Sequence, residues 1–300
     1  MFSLVLMIIA GPEVLLVKQL SEYAMHIMLF FFSLAFLFLF LKYDKLVLLS
    51  FGLAATLCVF MKNGDSEEFF TAKENFEEKI VVAHINLSNI TNEENLINSL
   101  ASSNVEVVSF QEFTPEWAGL KDKIKTWFPY SSEVMRIDPY GKAVFSKYPI
   151  FTFDTINQEV TYDVVFEIVK NNYSFRFIST YVIPSLNEVA LAKAKNQLDD
   201  INHEIGKSPV NTIVLGEFNM VYWSSEIKSF KEKSRLQNSR RDIIPVSLKV
   251  PYDHIFYSED LQCMQLKDFV LQSKERIGLY SVFQMNKTKS HLGHKLIQVY

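Results

Sequence analysis

The stretch TIVLGEFNMVYWSS at 212–225 runs apolar and β-branched as far as Gly216, then presents Glu217, Phe218 and Asn219. In extended backbone, side chains two residues apart project to the same side. An acid and an amide would therefore leave the end of a buried strand together. Similar strand ends recur: AHIN carries His84 and Asn86, SFQEF carries Gln111 and Glu112, YDHIF carries Asp253 and His254, and KSHLGH carries His291 and His294. Carboxylate, amide and imidazole are the groups that move protons, donate to anions and hold hard cations. Taken singly each has a plain structural explanation, Glu217 as a solvated acid, Asn86 as an amide satisfying a turn and Asp253 as a turn aspartate opening a strand. Taken together, five such ends describe one site gathered from distant segments.

The elements that must position these groups begin near residue 78. Apolar runs at KIVVAHINL, VEVVSFQEF, KAVFSKYPI, VTYDVVFEIV, YSFRFISTYVI, NTIVLGEFNM and YDHIFYS read as strands. Helical periodicity falls between some of them, at 93–103 and 187–205, while 160–181 alternates like an antiparallel pair turning at Asn171 and Asn172. Strands joined sometimes by helices and sometimes by hairpins predict an α/β domain with mixed sheets. There is no internal repeat and no low-complexity tract. Trp117, Trp127 and Phe128 fit a packed helix better than a platform for nucleic-acid bases.

In order along 79–299, Asn86, FQEF, YGKAVFSKYPI, STYVIPS, GEFN, YDHIF and SHLG resemble the blocks of the endonuclease/exonuclease/phosphatase superfamily. That group contains deoxyribonucleases, abasic-site endonucleases, inositol-phosphate phosphatases and sphingomyelinases, and the likeness is strongest to its membrane-anchored bacterial branch. The resemblance implies a four-layer α/β sandwich, two packed mixed sheets flanked by helices, with the site at one rim. It implies Glu112 as the metal ligand with Asn86 beside it, and a cofactor of Mg²⁺ with Mn²⁺ as the alternative. Glu217 would orient the attacking water, Asn219 would meet a non-bridging oxygen, Tyr181 would give its phenol to the phosphate, and Asp253 would orient His291. His84, His254 and His294 are taken as structural.

Three positions depart from the family pattern. Glu217 stands where an aspartate is usual, Ser290 where an acid precedes the last histidine, and Tyr181 where a histidine is common. An added methylene displaces a carboxylate by about an ångström, a misplacement that can cost roughly 10²-fold in rate. The expected function is thus a metal-dependent phosphodiesterase or phosphatase-like hydrolase, with a phosphate-binding pseudoenzyme as the rival.

The first sixty residues belong to a different solvent. Residues 24–41 are uncharged and apolar and predict a transmembrane helix; 46–61 predict a second, flanked by Lys45 and Lys62. Residues 1–17 are apolar but broken by Gly11, Pro12 and Glu13, and read as a broken span, an interfacial segment or a poor signal sequence, so the anchor holds two to three transmembrane segments. The expected organisation is an anchor at 1–61, a linker at 62–78 and the hydrolase-like domain at 79–300. Lys42 and Lys45 between the two clearer spans place that turn in the cytoplasm by the positive-inside rule. The domain would then lie outside the inner membrane of a bacterial cell.

Cys58 lies in a span and Cys263 stands alone, so the expected domain has no internal disulfide. The formal net charge is −4, and 1–61 hold equal numbers of acids and bases, so no general field attracts nucleic acid. Basic stretches at 228–241 and 287–295 are local, the second surrounding His291. Expected partners are a phosphate-ester substrate, nucleic acid or phospholipid, and the bilayer itself; no protein partner is expected.

Overall fold

The computed structural model describes residues 2–11, 14–62, 79–88, 90–157, 161–208, 211–240 and 250–286. Four helices come first: α1 (Phe2–Ala10), α2 (Leu15–Glu22), α3 (Ala24–Phe40) and α4 (Asp44–Lys62). A βαβ unit follows, β1 (Lys79–Asn86), α5 (Glu93–Ser102) and β2 (Val107–Gln111). Then come α6 (Leu120–Ile124), β3 (Tyr130–Val134), β4 (Lys142–Ser146), β5 (Ile150–Asn157) and β6 (Tyr162–Lys170). A second βαβ unit comprises β7 (Tyr173–Tyr181), α7 (Glu188–Lys207) and β8 (Thr212–Glu217). The remainder is α8 (Ser225–Ser234), β9 (Gln237–Asn238), β10 (Asp253–Tyr257), β11 (Leu261–Val270) and β12 (Arg276–Met285).

The strands form two six-stranded sheets, ordered β11-β12-β1-β2-β4-β3 and β5-β6-β7-β8-β10-β9. Each sheet contains one parallel pair, β1 with β2 and β7 with β8, because only there does a helix carry the chain back to the starting end. Asn92 and Asn187 cap those crossover helices by accepting from Asn95 N and Ala190 N. The sheets pack face to face with helices outside, the expected four-layer sandwich.

Alternation along each strand divides the core. Ile80 and Val82 of β1, Ile213 and Leu215 of β8, and Ile255 and Tyr257 of β10 lie between the sheets. Val81, Ala83 and Ile85 pack outward with Leu96 and Leu100 of α5, and Val214 packs with Leu198 and Ile201 of α7. Continuing that alternation sets His84, Asn86, Glu217 and Asp253 on the inter-sheet side.

The sequence reading anticipated the central strands and both crossover helices but not β11 and β12, which form an edge hairpin with a bulge between Cys263 and Gln265. Trp117 lies in a short 3₁₀ turn, and Phe128 is buried just beyond α6 whereas Trp127 is partly exposed, so one packed helix does not hold all three. Of the two anticipated spans, α4 is long and apolar enough to cross a membrane. α3 has 17 residues, one fewer than the expected run, because the chain turns at Lys42 with φ +60°. α1 and α2 meet at 102°, as the glycine and proline between them suggested.

Candidate active site

Four of the expected residues stand at the carboxyl ends of the four parallel strands. Asn86 is the last residue of β1, Glu112 follows β2, Tyr181 ends β7 and Glu217 ends β8. Asp253 opens antiparallel β10 at the same rim and pairs in register with Glu217, which on its other side pairs with Tyr181. Carboxyl ends of parallel strands are where open sheets collect ligand-binding groups. Here two such ends face each other across the sandwich.

Alternation alone would turn Glu112 outward, away from this rim. Its backbone instead adopts φ +57°, a left-handed conformation that costs a non-glycine residue on the order of 1 kcal/mol or more. The chain beyond is pinned by Phe113 N donating to Gly141 O at 3.0 Å and Arg136 N donating to Phe113 O at 3.3 Å. Glu112 is thereby returned to the inter-sheet side. Gly216 is needed for a related reason: a Cβ there would stand 1.9 Å from Thr180 O, so any side chain would push β8 off β7 just before Glu217.

Asn86 joins the two sheets. Its Nδ2 donates to Glu217 Oε2 at 2.9 Å and to Glu112 Oε1 at 3.2 Å, while its Oδ1 accepts from Ser88 N at 2.9 Å, which fixes the amide orientation. Below this layer, Ser109 and Ser179 hydroxyls meet at 2.6 Å and Gln111 Nε2 donates to Thr180 O, so polar ties hold the sheets together under the rim. Asn219, with φ +51°, donates to Val182 O at 2.8 Å and lies in hydrogen-bonding contact with the Tyr181 phenol. The Tyr140 ring meets Tyr181 edge to face with centroids 5.6 Å apart.

The electrostatics are unbalanced in a useful direction. Burial raises the Glu217 carboxyl above its ordinary range, and the charges of Asp253 and Glu112 add to that, against the Asn86 hydrogen bond and His84. Burial pushes the Tyr181 phenol up to about 12, with Glu217 and Glu112 contributing, so it is a neutral donor at physiological pH. Asp253 behaves oppositely. Burial works to raise it, but His84 and Arg276 outweigh burial and hold the carboxyl below its usual range.

Those two partners are what the sequence reading missed. Arg276 Nη2 donates to Asp253 Oδ2 at 2.6 Å while its Nε donates to Asp268 Oδ1 at 2.7 Å. His84 Nε2 stands 3.6 Å from Asp253 Oδ1, beyond hydrogen-bond length, and the ring is fully buried. From the sequence alone His84 reads as structural, yet its place two residues before Asn86 is a sufficient signal that both share a face. Arg276 was visible only to a reading that recognised β12. His254 does pack as expected, its Nε2 2.7 Å from Met220 O and its pKa driven down to about 3 by burial. His291, Ser290 and His294 lie outside the described residues.

Among the described residues no cluster of three or more His, Cys, Asp or Glu is arranged as a metal cage. Mg²⁺ does not need one, since it keeps several waters and takes one or two carboxylates. Glu112 and Glu217 both reach one nitrogen and neither has an ion-pair partner among the described residues, so a hard cation fits their charge. Asn86 presents its nitrogen rather than its oxygen to them, the face that suits a phosphate oxygen or a metal-bound water.

Residues 84–263 match the Endonuclease/Exonuclease/phosphatase family. No curated protein matches the sequence. Among solved structures, the chain is similar to an endonuclease/exonuclease/phosphatase from Beutenbergia cavernae DSM 12333, at 12% identity over 70% of this chain and 72% of that one, with a TM-score of 0.56. It is also similar to the human Nocturnin catalytic domain with bound sulfate anion, at 14% identity over 70% of this chain and 94% of that one, TM-score 0.57. D. rerio TDP2 complexed with single strand DNA product matches at 14% identity over 69% of this chain and 99% of that one, TM-score 0.52. At these identities the likeness is one of fold.

Proposed function

This chain belongs to the endonuclease/exonuclease/phosphatase family, and we propose on that basis that it is a membrane-anchored, divalent-metal-dependent hydrolase of a phosphate ester. One observation carries the reading: Asn86 bridges Glu112 and Glu217, two carboxylates from different sheets. Bringing like charges together at a strand-end rim is unfavourable unless a cation answers them. When bound, Mg²⁺ held by Glu112 with Asn86 beside it would neutralise phosphoryl charge.

The chain's own groups supply the rest. Glu217, with its raised pKa, is better matched than an ordinary glutamate to accept a proton from a water it orients. Tyr181 stays protonated and donates to a phosphoryl oxygen, supported by Asn219 and by the Tyr140 ring. Asp253 is kept ionised by Arg276, so it can orient an imidazole, the role proposed for it with His291. α3 and α4 anchor the chain in a bacterial inner membrane, with the hydrolase domain on the extracytoplasmic side.

Glu217 in the aspartate position favours a second reading, a site that binds a phosphorylated ligand without turnover. Hydrolysis of bis-p-nitrophenyl phosphate by the purified full chain, with Mg²⁺ or with chelator, separates the two. Activity lost in chelator and in Glu112→Gln supports the hydrolase; phosphate-ester binding with no turnover supports the silent site.

A further inference from the structure

The N-terminal helices do not simply tether the sandwich; they are seated on its catalytic rim. Trp223 Nε1 donates to Ser21 O at 2.7 Å, and Tyr252 OH donates to Glu22 at 2.7 Å. Lys18 pairs with buried Glu226. Tyr252 immediately precedes Asp253, and Val221 and Trp223 pack with Val5, Ile8 and Leu57 of the anchor only a few residues beyond Asn219.

A cavity of about 190 Å³ remains at this junction. Its lining mixes apolar side chains, Ile8, Leu15, Phe60 and Trp223, with polar ones that include Ser225 and Lys228. Two lysines and two glutamates line it, but they are not paired one to one, for Glu226 faces Lys18 and Lys195 while burial raises the Glu22 carboxyl. Lys18 and Glu226 satisfy each other, and Glu22 accepts from Tyr252. Lys228 has no carboxylate partner among the described residues; its ammonium lies 5.1 Å from the centroid of the Phe60 ring. Phe60 belongs to the last turn of α4, the level at which a spanning helix leaves hydrocarbon for head groups.

We propose that this cavity binds an anionic phospholipid of the surrounding bilayer, its phosphate on Lys228 and its acyl carbons along α1 and the end of α4. The proposal rests on the reading that α4 spans the membrane. A half-buried ammonium stacked on one aromatic face lacks the anion that would complete it, and the apolar part of the lining continues into helices that contact lipid. The cavity also touches Met220 and Ser185, which lie on the loops carrying Asn219 and Tyr181. An occupied cavity therefore braces both catalytic loops against the anchor, and turnover becomes responsive to lipid.

The test uses the full chain in mild detergent with phosphatidylglycerol as the probe, read by native mass spectrometry. Wild type is expected to retain the lipid, Lys228→Glu to lose at least fivefold of that retention, and Lys228→Arg to keep it. Lys125→Glu, at an exposed site paired with Asp122, is expected to match wild type. Equal retention by wild type and Lys228→Glu overturns the proposal, as does an equal loss in Lys125→Glu. Alkaline extraction of membranes distinguishes the underlying reading: release of the chain removes the anchor and the cavity together, whereas a chain that stays in the membrane without lipid preference removes the cavity alone.

Discussion

Two glutamates bracket the same short strand, and the protein treats them oppositely. Glu106, just before β2, accepts from Lys170 Nζ at 2.7 and 2.9 Å, from Tyr148 OH at 2.8 Å and from Val81 N at 3.0 Å. Glu112, just after β2, shares one Asn86 amide with Glu217 and adopts a left-handed backbone to do so. At one end of the strand the charge is answered by a lysine and two further donors. At the other, strain is accepted to bring acids together. An acid that serves the fold is satisfied within the chain, and one that serves a ligand is left for the ligand to satisfy.

Exchanging the roles is the most direct way to break that contrast, and its effects should be the largest. Glu112→Gln is expected to lower phosphodiester turnover roughly 10³-fold, the equivalent of about 4 kcal/mol of transition-state stabilisation, with an unchanged or higher melting temperature. Glu106→Gln should do the reverse. It leaves the Lys170 ammonium buried without its carboxylate, which costs about 3 kcal/mol, while turnover per folded molecule stays within about twofold. Turnover and thermal melts of both variants, measured side by side, check the pair. A Glu106 variant that loses activity while remaining folded would erase the distinction.

The next effect concerns Glu217. Its longer side chain reaches Asn86 on the facing sheet at 2.9 Å, so the rim is built around the extra methylene. Glu217→Asp should therefore cost roughly 10²-fold in turnover and Glu217→Ala more, in single-turnover assays on the same substrate. A rise in activity on Glu217→Asp would instead mark a site decayed from an aspartate-based one. Stability should move the other way. The folded pKa of Glu217 is raised, so any stability it contributes is present below its unfolded pKa and lost as pH rises through the folded value. At neutral pH Glu217→Gln is expected to be neutral or stabilising by chemical denaturation.

Much of this rim was legible in the sequence because strand alternation is a rigid rule. Asn86, Glu217 and Asp253 stand at even spacing from the inter-sheet residues Val82, Leu215 and Ile255, and motif order supplied the rest. Glu112 breaks the alternation, and only the left-handed turn explains how it rejoins its neighbours. The partners of Asp253 were hidden for other reasons. Arg276 opens β12, a strand buried between β1 and β11 whose place beside β1 comes only from long-range pairing, and His84 resembles any buried histidine until β10 is set beside β1 in space. Pairings across sheets depend on packing, which a one-dimensional pattern does not encode. The seat of α2 on the rim was invisible for the same reason.

A smaller effect is expected at Tyr181. Its phenol is held near 12 and donates as a neutral group, so Tyr181→Phe should lower kcat about tenfold, in line with the loss of one donor to a charged oxygen. No alkaline limb from this residue should appear below about pH 10 in the wild-type rate profile.

The finest distinction between the two glutamates is electrostatic reach. Because Glu112 and Glu217 accept from the same nitrogen at 3.2 and 2.9 Å, their carboxylates lie within about 6 Å, close enough for one charge to disfavour ionisation of the other. Burial is the larger cause of the raised Glu217 pKa, and Asp253 also adds to it, so removing the Glu112 charge should lower that pKa without restoring an ordinary value. In metal-free protein, the ¹³C carboxyl titration of Glu217 is expected to move lower in Glu112→Gln and to stay put in Glu106→Gln, since Glu106 lies at the opposite end of β2 beside Lys170. Saturating Mg²⁺ should shift the acidic limb of kcat/KM in the same direction in wild type, because a cation favours the ionised form. Identical Glu217 titrations in all three proteins would mean that the two acids do not share a site, and the assignment of Glu112 and Glu217 to one cation would fail with them.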